Sequence, residues 1–382
     1  MKLSKSLFLA FAGLGLFACS NEDVTENGGI QGVADVTVKI DLPGLIGSRT
    51  VGAYTSSKAV VPDYISITLD AAQGGTTKSG KYNDIVTGGV CTFAGVQDPK
   101  SLTVEINTKT GEGYTTNVPY GTIRELNQIA VANTRMTGFT NTFVAGTDEY
   151  TATVNMDHTM ARIEVGGIVH EAHQSGSGCR FATGNLTGVM LNNIVETNGG
   201  SVTDYRENQI DTYFGSNFQS GLWDKLTADN QFFPNAAGPF PANSGGTAQC
   251  YAYNIYPASG AENLPVLTLY FTNMSAAAGS PVYVGDNGFA FVKQYKVAKT
   301  AVDGNIPLKE ALCGSTATSL DERYYKVVNF PAGYIYKITE LVVPDNAIHT
   351  TPNGSGLNLE ATITITEWKI VEGSADWTEV EE

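Results

Sequence analysis

Residues 33–44 read VADVTVKIDLPG. Val36, Val38, Ile40 and Leu42 fall on one parity, and Asp35, Thr37, Lys39 and Asp41 on the other. Alternation with period two is the pattern of a strand with one buried and one wet face. Pro43 and Gly44 end it, because proline lacks a backbone donor and glycine favours turns. The pattern recurs in Tyr64-Ile65-Ser66-Ile67-Thr68-Leu69, in Leu102-Thr103-Val104-Glu105-Ile106, and in the TATVNM and ARIEV runs within residues 148–165. Near the C-terminus, Leu357, Leu359, Ala361, Ile363 and Ile365 alternate strictly, and the parity shifts at Trp368 and Ile370, the mark of a bulge or change of face. Gly-, Asn-, Asp- and Ser-rich links such as QGGTTKSGK separate these runs, so the expected fold class is all-β.

The whole-chain numbers agree. The chain has 382 residues, 42% hydrophobic, enough for a sizeable core and for about two domains. Only 16% of residues are charged, against about 25% on average. A formal net charge of −15 excludes binding to a nucleic-acid backbone, which needs Lys and Arg to displace counterions. A first β-sandwich is expected over 50–157 and a second domain over 158–382. The second carries an aromatic, Gly/Pro/Asn-rich and mostly irregular insert over 202–246, with room for one short helix within 205–226.

The start of the chain sets the compartment. Lys2 and Lys5 precede a short apolar run, Leu7 to Phe17, which is a secretion signal too short to span a bilayer stably. Residues 1–18 therefore read as a signal peptide. Leu16-Phe17-Ala18-Cys19 resembles a bacterial lipobox, with Cys19 as the lipidated residue, and Ser20-Asn21-Glu22-Asp23 follows as a polar, acidic run. Residues 20–32 are a Gly-rich tether. Cys91, Cys179, Cys250 and Cys313 are too widely spaced for a zinc ribbon or a redox pair, and the spacing leaves disulfides and buried thiols both open.

Motifs for catalysis are missing. The chain has no G-x-S-x-G elbow, no P-loop and no dinucleotide fingerprint. His170 and His173 in HEAH have metal-ligand spacing but lack a third ligand, so they read as a surface loop. Asp286-Asn287-Gly288 reads as a hairpin turn. No cofactor, no metal and no enzymatic activity are expected. Aromatic residues of the 205–240 insert read mainly as loop packing, with a carbohydrate platform as the alternative.

The geometry of the two ends is the informative feature. Arg49 lies in a Gly/Ser-flanked stretch just after the first alternating strand, where a trypsin-like protease can bind extended chain. Cutting there would release that strand and leave a sandwich with an open hydrophobic groove and unpaired backbone groups. A strand from another copy could refill it, and the segment from Leu357 onward is the donor to expect. The alternative, an ordinary first strand followed by a loop arginine, fits the geometry as well.

Together the lipobox at Cys19, the strand before Arg49, Met160-Ala161-Arg162-Ile163-Glu164-Val165, NFPAGYIYKITELVV and ATITITEWKIV resemble the fimbrillin family of Bacteroidetes, the type V pilins, most closely its Mfa-like branch. The resemblance implies two tandem transthyretin-like Greek-key β-sandwich domains and a lipidated propeptide over 19–49. It implies cleavage by an Arg-specific surface protease after Arg49, with Thr50 as the new N-terminus. The removed strand would carry Val36, Val38, Ile40 and Leu42, and the donor strands Ile363, Ile365, Trp368 and Ile370. It also implies a precursor on the outer membrane and then an extracellular fimbrium for adhesion and biofilm growth. Its partners would be further copies, anchor and tip subunits, and a ligand on host or bacterial surfaces. A tip or accessory subunit, or a glycan-binding lipoprotein that never polymerises, are the alternatives. Removal of residues 1–49 would leave 19 basic and 33 acidic residues, so the acidity belongs to the mature chain.

Overall fold

A computed structural model describes residues 32–41, 51–53, 64–106, 136–171, 180–195, 202–203, 223–226, 230–234, 238–280, 286–350 and 358–367. Strands dominate, as the alternation requires. They are β1 (Ala34–Asp41), β2 (Val51–Ala53), β3 (Tyr64–Gln73), β4 (Thr76–Lys81), β5 (Val90–Ile106), β6 (Met136–Thr140), β7 (Val144–Ala145), β8 (Glu149–Asn155) and β9 (Asp157–His158). There follow β10 (Ala161–Val165), β11 (Ile168–His170), β12 (Phe181–Asn192), β13 (Ile194–Val195), β14 (Val202–Thr203), β15 (Trp223–Lys225), β16 (Gln231–Phe233), β17 (Gln249–Ile255) and β18 (Ala258–Ser259). The last are β19 (Val266–Ala276), β20 (Asn287–Ala298), β21 (Tyr324–Lys326), β22 (Asn329–Phe330), β23 (Tyr334–Ile338), β24 (Leu341–Val343) and β25 (Leu359–Glu367). Among the described residues three short α-helices interrupt them: α1 (Tyr82–Ile85), α2 (Lys299–Val302) and α3 (Ile306–Cys313).

The first core gathers apolar residues between Ala34 and Met156. One layer is β5-β1-β8-β7 and the other is β4-β3-β5-β6 with β9 beyond β6. The long strand β5 joins them: its first half pairs with β1, its second with β3 and β6. Asp98, at φ 49, and Pro99 mark the point where it changes layers. The odd-parity residues of β3 and even-parity residues of β1 and of the second half of β5 meet in this core, which is why alternation is visible in all three.

A second, larger core runs from Ala161 to Ile363. Its strands follow the order β15-β12-β19-β20-β25-β23-β10-β17-β2. Here β25 is the linking strand, parallel to β20 through Leu359–Ile363 and antiparallel to β23 through Thr364–Glu367. Strand β10 is buried on both faces. Ala161, Ile163 and Val165 enter the core, while Arg162 and Glu164 on the other face form a buried ion pair at 2.8 Å. Removing one partner of such a buried pair is costly, because the charge left behind loses a close counter-charge.

Two departures from the sequence expectations concern this half. Strand β2 lies within the range expected for the first sandwich, yet it pairs with β17 of the second sheet. Asp286-Asn287-Gly288 is not the tip of a hairpin: Asn287 and Gly288 are already in register with Thr272 and Phe271 of β19. Of the aromatic insert, residues 204–222 lie outside the described residues. Phe232 and Phe233 of β16 are fully buried in the second core with Phe271, so these rings pack the sheet and present no platform.

Candidate functional site

Strand β1 is held on both sides along its length. Its antiparallel partner is β5, with Val36 opposite Phe93, Thr37 opposite Thr92 and Val38 opposite Cys91. Its parallel partner is β8, from Asp35 opposite Glu149 to Asp41 opposite Asn155. Val36 and Val38 are wholly buried, and Ala34 and Ile40 are 5% exposed. At about 1.5–3 kcal/mol for each large apolar side chain, Val36, Val38 and Ile40 contribute roughly 5–9 kcal/mol of burial. The backbone ladders add to that. Vacating this slot would expose both the apolar floor and two rows of backbone groups on β5 and β8.

The slot has a register mark at one end. Between Ala34 and Val36 the pairing with β5 slips, because β5 carries an extra residue there. Gly95 sits in the left-handed region at φ 67, the conformation that such a bulge requires and that glycine adopts without steric cost. Its N–H donates to Asp35 Oδ1 at 3.1 Å. One step along, Thr37 Oγ1 donates to Glu149 Oε2 at 3.4 Å. At the other end Ile40 N–H donates to the Gly89 carbonyl and Lys39 pairs with Asp41 at 3.1 Å.

The chain leaves β1 at Asp41 and is next described at β2, on the far sheet, where Val51, Gly52 and Ala53 oppose Tyr251, Cys250 and Gln249. Leu42, Arg49 and Thr50 belong to the intervening stretch, outside the described residues, and Cys19, ahead of β1, also lies outside them. Ile363 and Ile365 lie in β25 within this chain's own second sheet, with Ile363 buried and Ile365 half-buried. Trp368 and Ile370 lie outside the described residues. The structure thus brings Val36, Val38 and Ile40 together in one slot and places Ile363 and Ile365 elsewhere, in a position already paired on β20 and β23.

Cys91 and Cys313 are buried free thiols, Cys250 is buried, and Cys179 lies outside the described residues. Burial pushes the Cys91 thiol up, and pushes that of Cys313 up to about 11, so neither is a ready nucleophile at neutral pH. His170 is not in a surface loop. It closes β11, buried against Phe232 and Phe233. Its Nδ1–H donates to the Pro234 carbonyl at 2.6 Å and its Nε2 lies 2.6 Å from Asp345 Oδ1. The Arg180 N–H donates to the other carboxylate oxygen. This set ties the insert to the second core. His173 lies outside the described residues. Among the described residues no group of three or more His, Cys, Asp and Glu could hold a metal ion.

No family model matches the chain, and no curated protein matches it. Among solved structures it is similar to the fimbrilin FimA of Porphyromonas gingivalis W83, at 13% identity over 90% of this chain and 99% of that one, with a TM-score of 0.48. It is similar to a candidate cell-adhesion protein of Bacteroides eggerthii, at 14% identity over 88% and 96%, TM-score 0.48. A third likeness is to the tip fimbrial protein Mfa3 of Porphyromonas gingivalis, at 14% identity over 87% and 100%, TM-score 0.34.

Proposed function

We propose that this chain is the precursor of a structural fimbrial subunit that polymerises by strand exchange after a single proteolytic cut. The observation that carries the reading is the position of β1. It is an internal strand, flanked by β5 and β8, yet no hairpin ties it to either neighbour. On the forward side it is joined to the rest of the fold only through residues 42–50, and on the other side by the tether. One cut after Arg49 therefore frees it. The new N-terminus at Thr50 stays next to β2, whose pairing with β17 does not involve β1.

The remaining parts of the reading follow from the ends of the chain. Lipid on Cys19 holds the precursor at the outer membrane until an Arg-specific protease acts. The vacated slot takes an extended strand from the C-terminal segment of another copy, so that each subunit completes its neighbour. Low charge density and abundant turns suit a chain that is nearly all sheet, and the net negative charge then coats a filament serving adhesion and biofilm growth. No catalytic constellation is needed for any of these steps.

The reading is tested by adding an Arg-specific protease to purified precursor and following N-terminal sequence and oligomeric state together. Thr50 as the new terminus with a ladder of oligomers supports it. A chain cut after Arg49 that remains monomeric overturns it.

A further inference from the structure

We infer that one side of the first sandwich is a strand-pairing edge for a second copy of this chain, and that Lys78 is the residue that keeps it closed. The inference is independent of strand exchange, because it concerns the uncut chain and the edge turned away from β1. Strand β4 supplies the first observation. Its Thr76, Lys78 and Gly80 stand opposite Leu69, Ile67 and Ile65 of β3, all three buried. Residues directly opposite in a pair share a face, so β4 presents these to the core side, where alternation calls for apolar side chains. A lysine there forgoes apolar burial, so its use lies elsewhere.

The second observation is where its ammonium goes. It reaches across to the other layer, donates to the Thr92 carbonyl at 2.7 Å and lies 5.2 Å from the centre of the Phe93 ring. That carbonyl faces away from β1. Ile40 N–H donates to Gly89, so the pairs two and four residues on, Val38 with Cys91 and Val36 with Phe93, are the bonded ones. Thr37 and Thr92, between them, turn their backbone groups outward. Among the described residues Val90–Val96 pairs with no strand on that outer side, and Thr92 and Ala94 are exposed. Backbone closes the two ends of this edge. Val90 exchanges bonds with Thr87, and the β3–β4 turn packs so closely that a Cβ on Gly74 would lie 2.5 Å from the Gly95 carbonyl oxygen. Lys78 guards the middle.

Strand β4 is itself the last of its layer, and the Lys78 bond sets the two edges side by side. An uncovered edge is a template for another chain, and an inward-pointing charge is one means of blunting it. The occupant this side fits is the same side of a second copy. A two-fold axis normal to the layers sets each edge antiparallel against its own equivalent and continues both layers. Lys78 opposes that pairing twice. It occupies the carbonyl that an incoming N–H needs, and docking would strip water from two ammonium groups while bringing them together.

The test uses full-length, uncut precursor, with native mass and sedimentation followed across concentration. The parent and Lys78→Arg are expected as single copies. Lys78→Met keeps the stem and loses the charge, and should shift to dimers as concentration rises, with the Thr92 amide gaining protection from exchange in the dimer. Thr92→Pro added to Lys78→Met should restore single copies, because proline removes the outward donor and leaves the β1 ladder intact. Ile67→Ala weakens the same core but keeps Lys78, and should stay single. Lys78→Met and Lys78→Gln that remain single copies at every concentration overturn the inference. Dimers that form equally in Ile67→Ala, or that persist with Thr92→Pro, overturn it as well, since they come from general loosening or from another surface. Loss of the fold in both neutral variants, with Lys78→Arg folded, makes the ammonium a structural tie and overturns its role as a guard.

Discussion

Single side chains in the slot would tell the precursor from the cut chain that the proposed function requires. Val38 is wholly buried opposite Cys91, so Val38→Ala removes two methyl groups and leaves a void. We predict a loss of about 2 kcal/mol in the precursor, read by denaturant unfolding, and no loss once residues 1–49 are gone. Gly167 is a control in the other core. It sits at φ 61, and a Cβ there would lie 2.0 Å from the Thr339 carbonyl oxygen. Gly167→Ala should destabilise the precursor and the cut form alike, by more than about 1 kcal/mol. The buried thiols give a pH signature. Because burial raises the Cys91 and Cys313 thiols above their ordinary values, each favours the fold while neutral. The thiols' contribution to stability should be flat below about pH 9 and fall as pH rises from about 9 toward 11, the value to which Cys313 is pushed. Labelling of both thiols at pH 8 should be slow in the folded chain and fast in denaturant.

At the level of elements, amide exchange should report the slot directly. After the cut and before assembly, amides of Val90–Val96 in β5 and of β8 lose their β1 partners and should exchange quickly. Amides of Leu267–Thr272 in β19 should keep their protection, because their partners on β12 and β20 remain. Assembly should restore protection to β5 and β8. If β5 and β8 stay protected throughout, β1 has not left. Strands such as β1, β3, β8, β10 and β25 were legible in the sequence because each has one face in a core, so period two survives in the residues themselves. Strand β2 was not, since Val51-Gly52-Ala53 is too short to show a period and its partner β17 is about 200 residues away. Helix α3 carried a readable signal that the strand pattern obscured: Asn305 caps Leu308 N–H, Pro307 stands in the first turn and Gly314 follows the end. The Asp35–Gly95 contact joins residues 60 apart, and His170–Asp345 residues 175 apart. Contacts at such separations leave no local trace, so the register mark and the buried histidine emerged only from the fold.

For the whole molecule, the proposed function makes the precursor a closed form and the cut chain an open one. Two cores are sealed by strands from opposite ends of the chain: β1 completes the first and β25 links the layers of the second. The central claim is that removing β1 makes the chain polymerise. Its most direct test is to treat the precursor and an Arg49→Ala variant with an Arg-specific protease and weigh the products under native conditions. The account predicts loss of residues 1–49 and growth of head-to-tail polymers from the precursor, with the variant remaining a single uncut copy. Polymers from uncut Arg49→Ala, or a precursor cut at Arg49 that stays monomeric, would contradict it.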